Sequence, residues 1–241
     1  MRKKLILFCA ALFTALTASA APPNAPVTWG SPTNISGDTD VSLDGSLVAA
    51  FNMVGGNVTV NGVTFAAFPV TGGSTSATNG NFSFSESPGI LVTWTTLGSA
   101  SAPFSNLSAN YQTLLSTAIS TDANNTLTLV MSGLVTGQQY EFEWWLNAAS
   151  NSSAGFLTTA TATNSVSLDD NTTNANGGVG QYVIGTFTAN AGSETITFNG
   201  TSTGQAPTIN AFQLRAVPEP STVALFVVGI MGGAELLRRK K

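Results

Sequence analysis

The residues best able to do chemistry lie in one short stretch, Tyr140 to Asn147, which reads YEFEWWLN. As a strand it alternates. Tyr140, Phe142, Trp144 and Leu146 face one way, and Glu141, Glu143, Trp145 and Asn147 face the other. The first set is the natural core face. The second joins two carboxylates, an indole and an amide on an outer face. Sugar recognition uses those groups: the ring stacks on the apolar face of a pyranose, and the carboxylates and amide bond its hydroxyls. The alternative is that Trp145 is covered by a helix or loop while the two glutamates are solvated.

The same glutamates could be read as a glycosidase pair. Residues i and i+2 of a strand lie about 6.5–7 Å apart at Cα, so their carboxyls reach either mechanistic spacing. Glycosidase carboxylates, however, flank a cleft and come from different strands. Two exposed neighbours in water would keep similar, ordinary pKa values, with no division into acid and base. No catalytic residue is therefore assigned, and Trp145, Glu141, Glu143 and Asn147 stand as a candidate glycan-binding set beside the covered alternative.

Two acidic loop clusters could hold a structural calcium: Asp38 and Asp40 with Asp44, or Asp169 and Asp170. Oxygen-only ligands suit that ion. The spacing is not that of an EF-hand loop, and Asp and Asn favour turns on their own account. No other cofactor is expected. The chain has no His, and its one Cys, Cys9, lies in an N-terminal apolar run. From Ala21 to Val217 there are ten acids, one base and no Lys, a net charge of −9. Thiol, Schiff-base, P-loop and His or Cys metal chemistries are thereby removed. A body with one cation cannot neutralise phosphates, so nucleic acid is excluded as a partner. That cation, Arg215, is expected to close the last strand and to pair with a nearby acid.

The elements that must position these residues are mostly strands. Residues 22–34 are rich in Pro and Asn and read as an irregular lead-in. Beyond them Thr, Val, Phe, Ser, Asn and Gly dominate, which is strand composition with turn punctuation. Residues 47–54 form an apolar run of strand length. Residues 57–65, NVTVNGVTF, carry Asn61-Gly62 between alternating arms and predict a hairpin. Further strands are predicted at 90–95, 126–131, 140–147, 155–161, 181–188, 194–198 and 208–214. One segment has the helical period. Tyr111, Leu114, Leu115, Ala118 and Ile119 predict a short amphipathic helix over 111–119, with Asn106 or Ser108 as its cap. The pattern specifies an all-β domain over 35–216: an antiparallel two-sheet β-sandwich of jelly-roll type with one short helix.

The two ends carry addresses. Residues 1–20, MRKKLILFCAALFTALTASA, predict a signal helix: a cationic start, an apolar core too short to span a bilayer, and small residues before a cut. Ala18 and Ala20 hold the −3 and −1 positions, which places signal-peptidase cleavage between Ala20 and Ala21. Residues 217–241 begin with Val217-Pro218-Glu219-Pro220-Ser221, continue as a short glycine-rich apolar helix, and end in Arg238-Arg239-Lys240-Lys241. The basic end should stay on the cytoplasmic side, leaving the body outside.

That tripartite tail resembles the PEP-CTERM sorting signal. The resemblance implies recognition at Pro218, Glu219 and Pro220 by an exosortase in the membrane, with the apolar helix as a transient anchor. It also implies removal of the tail, and a bacterium that makes exopolysaccharide. Glu235 departs from the uncharged helix of that pattern.

The body resembles, more loosely, bacterial secreted β-sandwich proteins of galactose-binding-like and carbohydrate-binding-module type. It does so through 60–65, 137–140, 180–188 and 209–215. This implies the fold far more than a ligand. The expected role is a noncatalytic structural or adhesive one in exopolysaccharide or biofilm, at the envelope or outside the cell. A dedicated carbohydrate-binding module is the alternative, and a glycoside hydrolase or lyase a remote one.

Overall fold

The structure is a computed structural model, and it describes residues 24–150, 155–202 and 204–218. The predicted signal segment with Ala18, Ala20 and Ala21 lies outside the described residues, as does the tail beyond Pro218 with Glu219 and Pro220. Among the described residues no helix is long and apolar enough to cross a membrane.

The strands in chain order are β1 (Thr28–Trp29), β2 (Thr33–Asn34), β3 (Ser46–Met53), β4 (Val58–Val60), β5 (Val63–Phe68) and β6 (Ser76–Asn79). There follow β7 (Phe82–Glu86), β8 (Leu91–Trp94), β9 (Ala118–Thr121), β10 (Thr126–Ser132), β11 (Gln139–Leu146) and β12 (Leu157–Thr161). The last are β13 (Ser165–Asp169), β14 (Gln181–Thr188), β15 (Ser193–Gly200), β16 (Thr208–Ile209) and β17 (Ala211–Val217). The α-helix, α1, spans Ala109–Leu115.

Two sheets face each other. The first has the order β1-β14-β11-β17-β3-β5-β4, with β2 also on β14; the second has the order β13-β12-β15-β10-β7-β6. Pairing is antiparallel except between β3 and β5. Alternation along the strands fills the space between the sheets. Phe142 and Trp144 of β11, Phe212 of β17 and Phe51 of β3 point in from one side; Phe82, Phe84, Leu129 and Phe198 point in from the other. Trp144 meets Phe198 edge-on at 5.2 Å, and Phe84 meets Phe212 at 5.9 Å. Each such buried ring contributes about 1.5–3 kcal/mol, so this row supplies much of the sandwich's cohesion. A third, small sheet, β16-β9-β8, closes one end.

The Asn61-Gly62 turn forms as predicted, with φ of 47° and 77°. Both residues are left-handed, as a two-residue hairpin requires. Strands β6, β7 and β13 fall outside every predicted strand, and two further elements differ from expectation. The helix ends at Leu115, and Ala118 and Ile119 belong to β9. Ser116 and Thr117 interrupt the helix, but the turn they make leaves the apolar period unbroken, so pattern alone could not see the end. Ser108 is its cap, its Oγ accepting from the Tyr111 N–H at 3.2 Å. The lead-in is also not wholly irregular: β1 and β2 inside it pair with β14.

Candidate binding surfaces

The candidate face of β11 is buried: Trp145 is covered, as in the second alternative, but the glutamates beside it are covered too. Trp145, Glu143 and Asn147 have no exposed surface, and Glu141 has 6 %. The first sheet is covered on its outer side by a second apolar layer. Val41, Phe104, Leu107, Tyr111, Leu114 and Leu115 pack there on Val60, Phe65, Trp145 and Ala211. The helix period that marks Tyr111, Leu114 and Leu115 is what places them on Trp145. The indole meets Phe65 edge-on at 5.5 Å and stacks on Tyr182 at 6.3 Å. No face remains for a sugar.

The polar residues beneath this layer are structural. Glu143 accepts from the Ser42 N–H at 3.1 Å and from Gln213 Nε2 at 2.5 Å, while its Oε1 has no partner. Burial pushes its carboxyl up to about 8, against the lowering by Gln213 and Ser42, and Glu141 and Asp40 add to the rise. Burial also raises Glu141 above the usual carboxylate range. The two glutamates are therefore not the ordinary solvated neighbours expected from sequence. They sit on one strand under a cap, not across a cleft.

Arg215 does not spend its donors on a carboxylate. It donates to the carbonyls of Leu43 at 3.1 Å, Asp44 at 2.7 Å and Gly45 at 3.1 Å, and to Gln213 Oε1 at 3.2 Å. Glu141, its cross-strand neighbour, feels its charge. The guanidinium thus ties down the loop that roofs Glu141 and Glu143.

Asn147 holds strands together with Asn210, which the sequence reading did not single out. Asn210 Oδ1 accepts from the Asn147 N–H at 2.6 Å, and its Nδ2 donates to the carbonyls of Leu115 at 2.9 Å and Asn147 at 3.1 Å. Asn147 Oδ1 accepts from the Gly180 N–H at 3.1 Å. A buried amide that bonds backbone at both ends carries no sequence signature beyond its position between strands.

The acidic loops follow turn chemistry. Asp40 accepts from the Ser36 N–H at 2.7 Å, the Gly37 N–H at 3.0 Å and the Tyr111 hydroxyl at 3.2 Å. Asp38 accepts from the Ser108 hydroxyl at 2.6 Å. Asp169 accepts from the Asn171 N–H, and Asp170 from the Phe156 N–H, each at 2.9 Å. Neither Asp38, Asp40 and Asp44 nor Asp169 and Asp170 form a metal cage. Among the described residues no three acid, His or Cys side chains converge on an ion site.

Two other surfaces are open. The first is the outer face of the second sheet. Register aligns Ser76, Ser85, Thr128, Thr197, Thr161 and Ser165 in one row across all six strands. A flanking row holds Thr126, Asn199, Thr159 and Ser167, and another Thr78, Ser83, Val130 and Thr195. None of these residues is buried, and none is charged. With strands about 4.8 Å apart and same-face residues about 6.8 Å apart, the face is a lattice of hydroxyls.

The second is a cleft of about 450 Å³ at the end closed by the small sheet. Trp94 from the end of β8, Ser120 from β9 and Thr208 from β16 form one wall. Ala148 and Ser150 beyond β11, Phe156 before β12 and Asp170 after β13 form the other. Trp94 is 46 % exposed and Phe156 38 %. The Phe156–Asp170 backbone pair extends the β12–β13 ladder by one step, with Asp170 N to Phe156 O at 3.1 Å, and so fixes that wall.

Residues 216–241 match the family model of the PEP-CTERM protein-sorting motif. No curated protein matches the chain in sequence. Among solved structures, Bacteroides uniformis β-glucuronidase 2 bound to cyclophellitol-6-carboxylate aziridine is similar at 14 % identity and a TM-score of 0.44, over 70 % of this chain and 18 % of that one. The ANXUR2 extracellular domain from Arabidopsis thaliana is similar at 14 % identity and 0.45, over 72 % of this chain and 49 % of that one. The ANXUR1 extracellular domain gives 12 % and 0.45, over 71 % and 48 %. The chain thus matches less than half the length of each of these three. Ligand and activity must be argued from its own residues. The C-terminal motif marks the chain as an exported protein that is sorted by an exosortase.

Proposed function

We propose that this protein is a noncatalytic structural and adhesive component of the cell envelope or extracellular matrix, lying against exopolysaccharide after its tail is processed. The observation that carries the reading is the hydroxyl face of the second sheet. Protein surfaces are commonly about a quarter to a third charged, with both signs interspersed. Here no acid stands in the three rows, and Asp169 lies beyond them at the end of β13. Thr128 and Thr197 stand at the centre of a face with no charge in its three rows. Such a face repels no neutral polymer and offers it donors and acceptors at every strand.

The noncatalytic reading is supported by the burial of Glu141 and Glu143, the carboxyl pair of β11, under the loop that Arg215 holds. The test is co-sedimentation of the mature protein with the exopolysaccharide of its own host. The Thr128→Glu/Thr197→Glu variant places two charges on the face at solvent-accessible positions. It should stay folded and lose most of its association. Equal pelleting of wild type and variant would refute the role of this face.

A further inference from the structure

The cleft at the end of the sandwich has features that the flat hydroxyl face lacks. It is concave, and its volume of about 450 Å³ falls within the range of small-ligand sites. Of the 4 Trp in the chain, Trp145 and Trp144 are fully buried, while Trp94 stands 46 % exposed at the cleft. Phe156 joins it there from just before β12, 38 % exposed. Exposing two large rings at one concavity costs hydrophobic free energy, and neither ring is needed for the inter-sheet core.

The polar groups around the rings are hydroxyls and one carboxylate. Ser120 Oγ and Thr208 Oγ1 lie 3.3 Å apart in the wall, and Ser120 donates onward to the Pro207 carbonyl at 2.7 Å. Asp170, 5 % exposed, lines the wall and accepts from the Phe156 N–H at 2.9 Å. Among the described residues no cation lines the cleft, and Arg215 is spent on the roof loop. A site of aromatic rings and hydroxyls with one acid and no base disfavours anionic ligands and suits a polyol with an apolar face.

We propose that this cleft binds a short stretch of neutral glycan, with a sugar ring stacked on Trp94 and bounded by Phe156. The proposal deepens the matrix reading by naming the ligand class of a second surface, and its test is independent of the first.

The experiment is a tryptophan-fluorescence titration of the mature protein with neutral tetrasaccharides of glucose, mannose, galactose and N-acetylglucosamine, and with tetragalacturonate. At least one neutral probe should change the emission saturably, and tetragalacturonate should not. Trp94→Ala and Phe156→Ala should each weaken binding about tenfold by calorimetry, since each removes a ring contact. Circular dichroism should show both variants folded, because both rings are partly solvated. Thr128→Glu/Thr197→Glu should bind the tetrasaccharide like wild type, which separates the cleft from the sheet face. The proposal is overturned if no neutral probe binds, if tetragalacturonate binds best, or if folded Trp94→Ala and Phe156→Ala retain wild-type affinity.

Discussion

The Trp145 indole N–H donates to the Tyr111 hydroxyl at 2.9 Å, and neither side chain has any exposed surface. The hydroxyl in turn donates to Asp40 Oδ2 at 3.2 Å. A strand, the helix and the roof loop are thereby joined through three side chains. This relay makes the outer side of β11 an interior.

Its removal should cost stability and spare binding. Trp145→Ala leaves a large cavity between Phe65 and Tyr182 and should cost about 3–5 kcal/mol. Tyr111→Phe strands the indole N–H and should cost about 1–3 kcal/mol. Urea unfolding gives both numbers. Where the variants remain folded, their affinity for neutral tetrasaccharide should match wild type.

Glu143 should make stability fall with rising pH. Its folded pKa of about 8 lies above the ordinary 4.5, so the folded state holds the proton more tightly than the unfolded state. The stabilising contribution is complete below about pH 4.5 and is lost as pH rises through about 8. The upper bound of that loss is on the order of 5 kcal/mol. Glu143→Gln keeps the shape and never ionises. The stability difference between wild type and this variant, followed by urea unfolding from pH 4 to 9, should grow against wild type across that window. A flat difference would mean that Glu143 titrates normally.

Arg215→Lys should loosen the roof loop. A single ammonium cannot reproduce the planar donors that reach Leu43, Asp44 and Gly45. The expected cost is about 2 kcal/mol. Hydrogen exchange should quicken at residues 42–45 before it does in β11 or β17.

Chelation should leave the fold unchanged. Asp40 and Asp38 receive protein donors, as do Asp169 and Asp170. EDTA should not shift the Tm, and added calcium should not raise it. A calcium-dependent Tm would show that one of these loops closes on the ion.

The sandwich was largely legible because its signals are local. Alternation in Tyr140 to Leu146 correctly separated the core face, and Asn61-Gly62 marked its hairpin. What the sequence left open was the other face of β11. Alternation reports two faces but not what lies over each, and the covering layer comes from α1, the 36–45 loop and β4–β5. The cleft was missed for a related reason. Trp94, Phe156 and Asp170 are separated in sequence and meet only because β8 and β13 end where β12 begins. The hydroxyl face was hidden likewise: an alternating Thr is unremarkable in one strand and forms a lattice only across six.

The most direct test of the central claim is the intact mass of the native protein recovered from the polysaccharide matrix and from the membrane. The account predicts a matrix-associated chain that begins at Ala21 and ends near Pro218, Glu219 and Pro220. A chain that keeps Arg238 to Lys241 and is found only in the membrane would contradict it.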